Sequence, residues 1–206
     1  GGMGTDADTE YQAMALTLGT GAFTGATAVE VFVGVGGALD DNPMGAATPT
    51  NFSDDAINVT SGMGFHATLD SLSLVTLKDN GGTPMVATDD VSYMGLELNT
   101  FSAALIGIPG LALGVYDGIV KVNTATDTDM NVATTPAKLD WTTFFSNTTG
   151  LTPASVPSVD ASIAIEAQGS LALNAFGVVM ATGSFKLQLG TVTELGTDMA
   201  AGGMGT

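Results

Sequence analysis

Apolar and polar residues alternate with a period of two through much of this chain. Residues 13–18 and 29–35 show the pattern, and residues 68–78 carry Leu69, Leu72, Leu74 and Leu77. Residues 96–108 and 111–122 form a pair around Pro109-Gly110, and Asp117-Gly118 offers a turn or bulge inside the second run. A late cluster follows at 162–166, 170–173, 178–181 and 184–189. Successive side chains of a strand point to opposite faces, so this spacing predicts strands. Helix signals are confined to Trp141–Phe145, where Asp140 is placed to cap one short turn.

The fold expected from this pattern is all-β. An elongated β-solenoid or a stacked, coiled sheet is the first reading, and an antiparallel β-sandwich is the alternative. The expected core holds Leu69, Leu72, Leu74, Leu96, Leu98, Leu111, Leu113, Ile119, Leu171, Leu173, Phe185 and Leu187. Polar, Pro-containing stretches at 40–53, 79–84, 124–136 and 146–157 read as loops. Apolar runs resume after the last of them, so residues 1–206 are taken as a single module.

Composition narrows the function. Four lysines and no arginine stand against 21 acidic residues, a net charge of −17. Nothing here can neutralise a row of phosphates, which excludes nucleic acid as a partner. No run of 18 apolar residues occurs, so no membrane insertion as a helix is expected. The absence of cysteine removes disulfides, thiolate metal sites and thiol nucleophiles. The single histidine, His66, opens an apolar run and reads as a partly buried structural residue rather than a catalytic one. Gly34-Val35-Gly36-Gly37 is followed by an acidic turn, not by the helix a dinucleotide site requires. No enzymatic constellation is expected.

Two acidic clusters are candidate calcium ligands, because hard cations take several oxygens on flexible loops. Asp127, Asp129 and Asn131 match the first half of a calcium loop, but Val132 and Lys138 stand where its glycine and final glutamate belong. Asp40 and Asp41 form the second cluster. Calcium is thus the one candidate cofactor. Three sequons, at Asn51, Asn58 and Asn147, are candidate glycosylation sites.

Gly-Gly-Met-Gly-Thr occurs at residues 1–5 and again at 202–206. Recurrence at this spacing is expected of a tandem array with a period of about 201 residues. A shorter echo, L-x-L-N-x-F, links residues 96–101 to 171–176.

Residues 166–193, with Gly-Ser-Leu-Ala-Leu-Asn-Ala-Phe-Gly-Val-Val-Met-Ala-Thr-Gly-Ser-Phe, resemble repeat segments of very large, repetitive, adhesin-like bacterial surface proteins. So do residues 95–123, with Gly-Ile-Pro-Gly-Leu-Ala-Leu. The resemblance implies an extracellular, non-enzymatic, β-rich repeat and carries no site residue with it. The expectation is a structural repeat of an extracellular filament or giant surface protein, partnered by copies of itself. The alternative is a calcium-assisted module that binds a glycan or another partner at the cell surface.

Overall fold

The computed structural model describes residues 10–40, 55–80, 90–127 and 136–192. In chain order the elements are β1 (Tyr11–Gly19), β2 (Val29–Val35), β3 (Ala38–Asp40), β4 (Ala56–Asn58), β5 (Met63–Asp79), β6 (Val91–Ile106), β7 (Leu111–Asp127), α1 (Trp141–Ser146), β8 (Ile163–Ala175) and β9 (Val179–Gly190). Seven strands form one sheet in the order β1-β5-β6-β7-β8-β9, with β2 also paired to β5. β3 and β4 form a separate two-stranded ribbon.

Every pair is antiparallel. β1 runs along residues 71–79 of β5 and β2 along residues 63–69, so the two share one margin of the sheet. The sheet has six columns and is not closed: β1 and β2 lie at one margin, β9 at the other. The all-β expectation holds. The described strands form a meander, which corresponds to the antiparallel sheet of the alternative reading rather than to stacked coils.

Local chemistry explains the turns. Gly107 and Gly110, both at φ +80°, allow β6 to reverse into β7 around Pro109, and the Leu111 N–H donates to the Ile108 carbonyl at 3.1 Å. Asp117 has φ 54°, and the β7–β8 register shifts between Tyr116 and Ile119, which makes this the expected bulge. Asp140 caps α1 by accepting the Thr143 N–H at 2.9 Å.

β8 and β9 are longer than the sequence pattern suggests. Each runs straight through a glycine that the pattern reads as a break. Gly169 lies opposite Phe185, whose ring flanks the missing side chain at 3.6 Å, and Gly183 lies opposite Leu171 in the same ladder. Pairing overrides the weak intrinsic preference of glycine for strands.

The largest correction concerns the core. Among the described residues, the buried core is formed by Val75, Leu77, Trp141 and Val159. None belongs to the expected core list, of which Leu113, Leu171, Phe185 and Leu187 are exposed. The physical reason is the placement of the segment around α1. It lies over Val75 and Leu77, and these alternate along β5 with Leu72 and Leu74, whose side chains point to the other face.

Candidate functional site

Most of the residues expected to form the core line one apolar face that no described segment covers, whereas Ile119 lies opposite Gln168 on the other face. Directly opposed residues of paired strands share a face. One rung runs Leu16, Leu74, Leu96, Val122, Ile165, Leu189 across all six columns. The next runs Leu18, Leu72, Leu98, Val120, Ala167, Leu187. Beyond the bulge come Val31, Ala67, Ala103, Val115, Leu171, Gly183, and then Val33, Phe65, Leu105, Leu113, Leu173, Ala181.

All four rungs lie on one face. β8 alternates without interruption from Ile165 to Leu173, and these residues sit an even number of positions apart. Asp117 in β7 and Thr100 in β6, both at positive φ, reset the alternation in these strands, and Asp70 of β5, facing Thr100, drops out of the ladder at the same level, so that the strands stay in phase with β8. No charged residue occurs in the four rungs. Toward the margins Leu187 is 53% exposed and Val33 67% exposed.

The opposite face is polar. Ser73, Glu97, Lys121, Glu166 and Gln188 form one rung there. Lys121 Nζ lies 3.5 Å from Glu97 Oε1, and Lys186 Nζ lies 3.1 Å from Glu166 Oε2. Burial opposes ionisation of Glu166, but the hydrogen bonds from Lys186 and Gln188 and the charges of Lys186 and Lys121 outweigh it. Its carboxyl is held below the ordinary glutamate range.

This polar face also holds the covering segment. Lys121 Nζ donates to the Ser158 carbonyl at 2.8 Å, and the Ser158 N–H donates to Glu97 Oε2 at 2.7 Å. Asn123, 1% exposed, donates through Nδ2 to the carbonyls of Leu139 and Asp160. Its Oδ1 accepts the Trp141 indole N–H at 3.0 Å. The Asp160 carboxylate accepts the hydroxyl and the N–H of Ser162, which lowers its pKa.

An open groove of about 660 Å³ runs beside α1, lined by Tyr11, Leu77, Phe144, Phe145 and Leu151 among others. Its rings pack edge to face, with centroids 5.4 Å apart for Tyr11–Phe144 and 5.3 Å for Phe144–Phe145. They serve each other and the core, and form no flat stacking platform.

Only one member of each expected metal-ligand cluster lies among the described residues. Asp127 ends β7, and Asp40 ends β3 in the separate ribbon. Asp41, Asp129 and Asn131 lie outside the described residues, as does Asn51. No group of three or more His, Asp or Glu suited to a metal ion occurs among the described residues. Asn58 and Asn147 are exposed. Asn58 Oδ1 accepts the Thr60 N–H at 2.9 Å, and Asn147 Nδ2 donates to the Thr143 carbonyl at 2.8 Å at the end of α1. His66 Nε2 lies 2.6 Å from Glu30 Oε1 across the β2–β5 pair.

The surface feature missed by sequence reasoning is therefore the apolar face itself. Its signal is the run of period-two leucines, a pattern that a buried core and an open face share. No family model matches this chain, and neither curated proteins nor solved structures give a match.

Proposed function

We propose that this chain is a non-catalytic structural repeat of an extracellular filament or giant surface protein, with a sheet that continues from copy to copy. The observation that carries the reading is the pair of open margins on a sheet of six antiparallel columns. Six is even, so β1 of a following copy would run antiparallel to β9 and the meander would continue without reversal. β9 offers twelve residues, all exposed, and such a long edge is a template for pairing. The Gly-Gly-Met-Gly-Thr motif repeated 201 positions apart supports repetition, and the Thr- and Gly-rich, cysteine-free composition supports an extracellular setting.

Hydrogen exchange tests this reading. A polypeptide carrying two copies in tandem is compared with a single copy. The outward amides of residues 179–190 in the first copy should exchange at least about tenfold more slowly than in the single chain. Equal exchange rates in the two chains would overturn the proposal.

Calcium binding is part of the proposal, with Asp127, Asp129 and Asn131, or Asp40 and Asp41, as first ligands. Its support is the charge of −17, with three of the four lysines already paired to Asp90, Glu97 and Glu166. Millimolar Ca²⁺ should raise the melting temperature more than NaCl at equal ionic strength. If both salts raise it equally, the effect is screening and no site exists.

A further inference from the structure

We propose that the apolar face is a self-docking surface, on which a second copy of the chain packs face to face to form a two-layered β-sandwich. This rests on the structural reading above for the identity of the partner and adds to it a surface that edge pairing leaves bare.

Size argues first. The four rungs span six columns and nine residues of β9, roughly 29 Å by 30 Å at ordinary strand spacing and rise, or on the order of 800–900 Å². Monomers seldom leave more than about 300–600 Å² of contiguous apolar surface open. A stable interface covers about 800 Å² on each partner, which this face supplies.

The shape and chemistry of the face select the occupant. It is a sheet surface rather than a cleft, which suits another sheet better than a small molecule. A bilayer is a poor occupant because the sheet has two open margins, and unpaired strand edges are not tolerated in hydrocarbon. A second copy meets both conditions. The four rungs bring no charge into contact, while Glu97, Lys121, Glu166 and Lys186 lie on the far side of the sheet.

Cross-linking separates this from edge pairing. The chain has no cysteine, so Leu98→Cys and Val120→Cys each introduce a unique thiol at the centre of the face. In an edge-paired array, equivalent residues of neighbouring copies lie six strand spacings apart, about 29 Å. A bismaleimide spanning about 10 Å can link them only if the faces meet. The expected result is a covalent dimer from both variants, and sedimentation showing two-chain particles at micromolar concentration. Leu16→Lys with Leu187→Lys, both on marginal strands, should weaken the pairing at least about a hundredfold with an unchanged circular-dichroism spectrum. Assembled chains that give no cross-link at either cysteine would overturn face pairing and leave the edge-paired array standing. A chain that stays monomeric at all concentrations would also overturn it. Should the lysine variants fail to fold, the cross-linking result alone decides.

Discussion

Replacing Trp141 with alanine is expected to lower the stability of the folded chain by about 3–5 kcal/mol, read as a fall in the urea midpoint with an unchanged slope. Trp141 is fully buried, and among the described residues it anchors a small core with Val75, Leu77 and Val159. Its ring also stacks on Phe145, with centroids 6.4 Å apart. The substitution leaves a cavity and removes the indole donor from Asn123 Oδ1, an acceptor buried without access to water. The segment from Leu139 to Asp160 should loosen, because Asn123 and the indole hold it at both ends. A loss below about 1 kcal/mol, the size of an ordinary surface change, would show that this segment is not held as described.

Gly95→Val should be nearly as damaging, at about 2–4 kcal/mol. Gly95 lies beneath the indole, and a Cβ built there would fall 2.5 Å from Trp141 Cε2 and 2.6 Å from Nε1. Ring and side chain cannot share that space, so the indole must leave its pocket and its bond to Asn123. Indole fluorescence should shift to the red as the ring meets water. Gly183→Ala is the control, because a Cβ there meets nothing within 4 Å. It should change the midpoint little. Equal effects of the two substitutions, or native fluorescence in Gly95→Val, would contradict the packing.

Both experiments bear on function through the same geometry. The covering segment is committed to the polar face by Lys121, Glu97 and Asn123, and this leaves the leucine rungs open. Had it crossed the other face, the sheet would have closed its own core and offered only its margins.

Much of this was legible in the chain. β2 has the bounds that alternation predicts, and the Pro109-Gly110 turn, the Asp117 bulge and the Asp140 cap follow from residues whose backbone preferences are local. The continuity of β8 and β9 through Gly169 and Gly183 was not legible, because it depends on the backbone ladder between the two strands. Burial of Asn123 was hidden for a related reason. Its three partners come from Leu139, Trp141 and Asp160, and only folding brings them to one side chain.

The sequence by itself determined that the chain is β-rich, that apolar residues recur along its strands with a period of two, and that it carries too few cations to hold polyanions. These are consequences of a two-residue period and of composition, and neither requires knowing which strands meet. Only the tertiary structure decided which side of the sheet is covered. Alternation defines two faces for every strand but assigns a partner to neither. The polar rung of Glu97, Lys121 and Glu166, together with Asn123 beneath Trp141, recruits the α1 segment because its carbonyls and N–H groups need hydrogen-bond partners once buried. The leucine rungs offer no such partners, and no described segment lies over them.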